Sequence, residues 1–113
     1  DILLSDREDK TFEPFDRFAQ FKDSKGKSLQ ELLDEFSMRR RENLAILESK
    51  RLTASDLERE GQHPALGTVT LAQLLASWVV HDLNHIAQVS RVMAHQYSEE
   101  VGPWKDYMGI LSR

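Results

Sequence analysis

The segment from Thr70 to Tyr97 constrains the fold most, because it runs for almost a quarter of the chain without a glycine or a proline. Thr70, followed three residues later by Gln73, is typical of a capping box at a helix start. At 1.5 Å per residue the predicted helix would be about 40 Å long, a length typical of the longest member of a helical bundle. Its apolar residues recur at helical spacing; they are Leu71, Leu74, Leu75, Trp78, Val79, Ile86, Val89, Val92 and Met93.

A second helix is predicted from Ser28 to Lys50. Ser28 and Glu31 repeat the capping-box pattern, in which a hydroxyl and a carboxylate satisfy amide hydrogens at a helix start. The apolar residues that follow share one stripe, which we expect to face a core; they are Leu29, Leu32, Leu33, Phe36, Leu44 and Leu47.

The remaining segments are short. Residues 53–60 are expected to form one or two helical turns closed by Gly61, and residues 62–67 a turn-rich crossing. Pro103 predicts a final helix over residues 104–111. Phenylalanines spaced by three between residues 12 and 21 favour a covering loop or a short helical turn. Because no segment shows the alternation of a strand, the predicted class is all-α.

The length and composition of the chain exclude several classes of function. The chain has 113 residues, which predicts a single domain over residues 1–113. A net charge of −4 argues against a nucleic-acid-coating surface. Cysteine is absent, so disulfides, thiolate nucleophiles and sulfur-ligated metals are excluded, and histidine and carboxylate remain as metal ligands. No apolar run suggests a membrane span and no signal-peptide pattern is evident, so the expected compartment is the cytoplasm.

Two long helices are too few walls for a four-helix bundle. Residues 2–4 read like the last turn of a helix already under way. We therefore expect either that residues upstream of Asp1 belong to the intact fold, or that a second copy completes it as a homodimer.

Two histidines on the longer helix suggest a metal site. On a helical wheel His85 and Asp82 fall inside the apolar arc, and His81 lies at its edge. Histidines four residues apart lie one above the other, so both imidazoles can bind one ion at about 2.0–2.2 Å. Asp82 projects about 60° from His85, which disfavours it as a third ligand. The alternative is a metal-free pair of histidines, each hydrogen-bonded to a carbonyl or a carboxylate.

Arg40 is the charged residue that lies within the apolar stripe of the first long helix, between Phe36 and Leu44. A charged group there needs a carboxylate or a path to water. We hypothesise that Arg40 pairs with Asp82, or lines a polar pocket beside the histidines as an anion contact. Arg39 and Arg41 are expected on solvated flanks.

The other candidate residues receive structural roles. His95 would lie about 15 Å along the helix axis from His85, too far to share an ion, so it is expected at the surface. His63 precedes Pro64 in a turn and is expected to form loop hydrogen bonds. A last set, at helical spacing, is expected to pack in the core: Trp104, Tyr107 and Met108.

Three segments of the sequence resemble the DinB-like superfamily: GQHPALGTVTL at 61–71, LLASWVVHDLNHIAQ at 74–88 and VGPW at 101–104. The resemblance is strongest over residues 61–111 and weaker over 1–50. It implies an up-and-down four-helix bundle that holds a divalent metal, often nickel or zinc, with three histidines. Two of these would be His81 and His85. The third lies on an earlier helix of the family, and because this chain has no histidine before His63, that helix is expected to be missing here.

The resemblance also implies a chemistry. Members of the superfamily include metal-dependent transferases that use low-molecular-weight thiols, and a thiol-dependent isomerase. A thiol bound at an open metal position would be acidified for transfer to a small electrophile. His81 and His85 would be ligands, Asp82 an orienting group and Arg40 an anion contact. The expected function is a metal-binding bundle acting as a thiol transferase or hydrolase; a non-catalytic dimerising or ligand-binding module, or a helical regulator of protein partners, stays open.

Overall fold

The structure is a computed structural model that describes residues 1–112. The chain is mostly helical, as expected, with one small sheet. The α-helices are α1 (Ala19–Asp23), α2 (Leu29–Ser49), α3 (Ala54–Leu57) and α4 (Leu71–His95), and the strands are β1 (Glu60–His63) and β2 (Gly67–Thr70). Single 3₁₀ segments span Ile2–Leu4, Gly102–Tyr107 and Gly109–Leu111.

Helix α2 begins where its capping box predicts. The Ser28 hydroxyl oxygen accepts from the Glu31 amide at 3.1 Å, and the Ser28 amide donates to the Glu31 carboxylate at 2.6 Å. These bonds satisfy two of the amide groups that a helix start leaves without an intrahelical acceptor. The short helix α3 begins with the same motif, made by Thr53 and Asp56.

Helix α4 is the longest element, with 25 residues. It follows β2 directly, and the Leu71 amide donates to the carbonyl of Arg59 at 2.9 Å. The predicted helix over residues 70–97 is therefore confirmed to within two residues at its end. Its first residue, Leu71, is buried.

The expectation that the chain holds no strand is wrong. β1 and β2 form an antiparallel hairpin in which Glu60 lies opposite Thr70 and His63 opposite Gly67. Gly67 has a φ of +76°, a conformation that glycine adopts without a steric penalty. Each strand has only four residues. Burial alternates in β1, but its inward residues are Gly61 and His63, and burial does not alternate in β2. The sequence therefore shows no alternation of large apolar and polar residues in either strand.

The sequence predicts that Gly61 closes a helix. In the structure it instead lies buried inside β1. A Cβ at this position would overlap the Leu3 side chain and lie 2.9 Å from the Lys10 carbonyl oxygen. Residues 10–12 run beside β1, where the Gln62 amide donates to Lys10 at 2.9 Å. Leu3 is 2% exposed. The hairpin region, defined here as residues 2–12 and 60–71, thus contains the buried centre of the fold.

The final segment also differs from expectation. Pro103 starts a helical turn as predicted, but the turn is 3₁₀ over Gly102–Tyr107 and is interrupted at Met108. Trp104, Tyr107 and Met108 are exposed by 66%, 85% and 41%, so the prediction that they pack in the core is wrong. The 3₁₀ geometry replaces the 3.6-residue period on which that prediction depended.

The apolar stripes of both long helices stay largely exposed. Helix α2 contains no buried residue, and α4 contains only Leu71. The phenylalanines near α1 are exposed too, although Phe18 and Phe21 stack with their ring centroids 6.4 Å apart. The stripes were expected to face a core, and the described chain leaves both of them without one.

The chain forms two compact units, Asp1–Ala72 and the residues from Gln73 onward. The single-domain assignment over residues 1–113 stays a prediction. Within residues 1–112, no helix combines the length and the apolar character that crossing a membrane requires.

Candidate metal centre

His81 and His85 lie one helical turn apart on α4, and both side chains are exposed. Their Nε2 atoms are 3.2 Å apart, and the ring centroids are 4.4 Å apart with the ring planes at 78°. The regular helix therefore brings two imidazole nitrogens together, as their four-residue spacing predicts.

Gln88 orients the ring of His85. The Nδ1 atom of His85 lies 2.9 Å from the Gln88 side-chain oxygen. Because an amide oxygen accepts but cannot donate, this contact assigns the proton to Nδ1 and leaves a lone pair on Nε2. Binding of one ion by both Nε2 atoms requires that the proton of His81 also lies on its Nδ1. A hydrogen bond to the second ring nitrogen is the usual way in which a ligating histidine is held.

The geometry of the pair suits an ion. Two nitrogens 3.2 Å apart, each about 2.1 Å from the same zinc ion, subtend an angle of about 100° at that ion. This angle lies close to the tetrahedral value. Exposure of both rings leaves an approach for the ion from solvent.

The donor set of one chain is nevertheless short. Within residues 1–112, no three histidine, aspartate or glutamate side chains group together in a way that could hold a metal. Zinc sites in proteins normally have at least three protein ligands. The two histidines fit a metal as a two-nitrogen chelate, and they do not complete its coordination by themselves.

Arg40 and Asp82 are both half-buried. The Arg40 guanidinium carbon lies 5.2 Å from the centre of the Phe36 ring, one turn earlier on α2, which is within the range of a cation–π contact. The pairing of Arg40 with Asp82, its alternative as an anion contact, and the orienting role of Asp82 stay predictions.

His63 has the structural role that its position before Pro64 predicts. Its Nδ1 atom accepts hydrogen bonds from the backbone amides of Ala65 at 3.1 Å and Leu66 at 3.2 Å. Its ring also meets the edge of Phe12, with the centroids 6.0 Å apart. One ring nitrogen is thus used to hold the hairpin turn, which disfavours His63 as a third metal ligand. His95 is exposed, as expected.

Sequence reasoning missed Gln88. The signal was present, because Gln88 follows His85 by three residues and side chains at that spacing meet on a helix.

The sequence also gave no indication of an open cavity of about 300 Å³, which lies beside α1 and α2.

Glu35 lies at this cavity and bridges Lys27 at 2.5 Å and Arg39 at 2.6 Å. Hydrogen bonds from Lys27, and then from Arg39, hold the pKa of Glu35 below its ordinary value. Arg39 is 69% exposed, in agreement with its predicted place on a solvated flank. The cavity is lined by two acidic residues, Asp23 and Glu35, and two basic residues, Lys27 and Arg39, so its formal charge is balanced and it shows no preference for an anion.

A family model of the DinB superfamily matches residues 4–89. The matched region includes the hairpin, α2 and the part of α4 that carries His81 and His85. It reaches further toward the first residues than the sequence motifs suggest, and it ends before the VGPW segment. No curated protein matches the sequence.

Proposed function

Because this chain belongs to the DinB superfamily, we propose that it binds a divalent metal ion through His81 and His85. The observation that carries the proposal is the 3.2 Å separation of the two Nε2 atoms on an exposed helix face. The orientation of the His85 ring by Gln88 supports it, since a fixed ring with a lone pair on Nε2 is prepared for a cation. Imidazole ligands suit both nickel and zinc.

The proposed architecture is an up-and-down four-helix bundle of the DinB-like type. Helices α2 and α4 would be two of its walls. The exposed apolar stripes support this arrangement, because each stripe has the width of a helix face that a neighbouring helix covers in a bundle. The missing walls would come from a preceding helix or from a second copy of the chain.

The proposed activity is thiol transfer or hydrolysis on a small molecule. A bound divalent ion would supply Lewis acidity, which lowers the pKa of a coordinated thiol. The chain contains no cysteine, so the thiol would be a separate low-molecular-weight compound. His81 and His85 would bind, Gln88 and Asp82 would orient, and Arg40 would hold an anionic group of the substrate.

A non-catalytic module that dimerises or binds a ligand is the second candidate. The donor set favours it, because one chain supplies two nitrogens where zinc normally needs three protein ligands. Titration with metal separates the two candidates. If this chain binds no divalent ion, the non-catalytic module is the better candidate.

The test is a calorimetric titration of the untagged protein with Zn²⁺ and with Ni²⁺. We expect His81→Ala and His85→Ala to abolish binding, and Gln88→Ala to weaken it by about 10- to 100-fold through the loss of ring orientation. His95→Ala is the matched control, because His95 ends the same helix outside the pair. Binding should also raise the melting temperature. Unchanged affinity in His81→Ala would reject the site.

A further inference from the structure

The loop between β1 and β2, here called the hairpin loop, has two amide N–H groups, and one atom accepts both of them. The hairpin loop comprises residues 64–66, between the last residue of β1 and the first of β2. Pro64 carries no N–H group. The amides of Ala65 and Leu66 donate to Nδ1 of His63 at 3.1 Å and 3.2 Å. Every N–H group of the hairpin loop therefore depends on a single nitrogen lone pair.

These two hydrogen bonds require a neutral ring. Because Nδ1 accepts, the proton of the imidazole lies on Nε2. A second proton on the ring would place an N–H group on Nδ1, directed at two other N–H groups. Both hydrogen bonds would then be replaced by a repulsive contact between donors. The neutral ring can hold the hairpin loop, and the protonated ring cannot.

The groups around His63 do not offset this effect. Its side-chain contacts within the described residues are the two loop amides and the edge of the Phe12 ring. Neither the hairpin loop nor β2 contains a titratable residue. In the segment beside β1, Lys10 directs its ammonium to a backbone carbonyl at 3.2 Å, and Glu13 is exposed. Glu60 lies at the other end of β1, about 10 Å along the strand.

We propose that His63 is a pH-sensitive switch for the hairpin loop, which is closed while the ring is neutral and released when the ring is protonated. The closed loop exists on the alkaline side of the titration of the ring, and it is lost as the pH falls through that titration. Histidine is the side chain whose charge ordinarily changes between about pH 5 and pH 8. The switch does not depend on the proposed metal site, because His63 lies outside the pair on α4.

The release should be confined to the hairpin loop. The amide of Gln62 donates to the Lys10 carbonyl at 2.9 Å, and its carbonyl accepts from the Phe12 amide at 2.8 Å. Neither bond involves a titrating ring, and both hold β1 against residues 10–12. Protonation of His63 should therefore free the loop amides and leave β1 in place.

The experiment follows the ring and the amides in one sample. The natural sequence, isotopically labelled and kept in chelator, is titrated by NMR from about pH 8 to about pH 5. The measured quantities are the carbon-bound ring proton shift of His63 and the exchange protection of the Ala65 and Leu66 amides, corrected for intrinsic exchange. We expect the protection of both amides to fall by roughly 5- to 10-fold, with the same midpoint as the ring shift. Protection that persists after the ring has titrated would overturn the switch, as would a ring that stays neutral throughout.

His63→Asn is the matched control. An asparagine side-chain oxygen can accept from amides two and three residues later, as in an Asx turn, and it does not titrate. The protection of Ala65 and Leu66 in this variant should not change with pH. A loss as large as that of the natural sequence would assign the effect to another group, and the proposal would fail. In His63→Ala both amides should be as weakly protected at about pH 8 as those of the natural sequence at about pH 5; full protection there would also contradict the proposal.

Two further measurements test whether the effect is local and belongs to His63. The Gln62 amide should keep its protection over the whole range, and an equal loss at Gln62 would show unfolding of the sheet instead of a switch in its loop. His95→Ala removes an exposed histidine from the end of α4. It should leave the transition of the loop amides unchanged, and a transition that disappeared with His95 would exclude His63 as its origin.

Discussion

The hairpin region and α4 use histidine in opposite ways. In the hairpin, Nδ1 of His63 accepts two backbone amides of the turn, and the ring contacts Phe12. On α4, the Nε2 atoms of His81 and His85 point at each other on an exposed surface. Both environments are built from one residue type, and the difference is whether the backbone consumes the ring nitrogens. Because Nδ1 of His85 contacts the Gln88 side chain and no backbone amide binds either Nε2 atom in the contacts described, the pair retains its capacity to bind an ion.

Burial separates the same two regions. Leu3, Gly61 and Leu71 are buried in the hairpin region, whereas α4 has no buried residue after Leu71. Substitutions in the hairpin region should therefore act on folding, and substitutions on α4 on binding. Three sets of measurements test this division.

Gly61→Ala should have the largest effect. The new Cβ would lie 2.9 Å from the Lys10 carbonyl oxygen, which accepts from the Gln62 amide and cannot move without breaking that bond. We expect the free energy of unfolding to fall by about 1–3 kcal/mol, measured by urea denaturation. Gly109→Ala is the control, because nothing lies within 4 Å of its added Cβ. Equal stability of the two variants would contradict the packing described for β1.

The two kinds of histidine should separate in the same assay. His63→Ala removes the acceptor of two turn amides and should lower the free energy of unfolding by about 0.5–1.5 kcal/mol. In the absence of metal, His85→Ala should change it by less than about 0.5 kcal/mol, because its ring is exposed. If His85→Ala were as destabilising as His63→Ala, the pair on α4 would be structural and the contrast would be lost.

The smallest effect concerns pH and the cap of α3, which leads into β1. The Thr53 amide, and then its hydroxyl, hold the pKa of Asp56 below its ordinary value of 3.8. A lowered carboxyl pKa contributes stability that is present above 3.8 and is lost as the pH falls through the folded value. Urea denaturation between about pH 6 and pH 3 should therefore show a weaker acid dependence for Asp56→Asn than for the natural sequence. An identical slope would exclude a contribution from this cap.

Several features of the fold were predictable because their causes are local. The start of α2 depends on Ser28 and Glu31, three residues apart, and the histidine pair on two residues four apart. The family resemblance is confirmed by the match over residues 4–89, although the four-helix bundle that it implies stays a proposal. The contacts within α2 and α4 follow from helix geometry alone, so the spacing of the residues along the sequence is enough to predict them.

The hairpin and the buried Gly61 could not be predicted in the same way. β1 has four residues without an alternation of large apolar and polar residues, and its second neighbour is the segment at residues 10–12, far away in sequence. The exposure of Trp104 and Tyr107 was missed for a related reason, since a 3₁₀ turn replaced the α-helical period.

The two long helices, the capping box of α2 and the pairing of His81 with His85 were predictable from the sequence, because each depends on side chains that are close together along the chain. The folded chain was needed to show that Gly61 lies in a strand and that the apolar faces of α2 and α4 remain open. These depend on which distant segments meet, as Leu3 meets Gly61. Burial belongs to the assembled chain, and no local spacing encodes it.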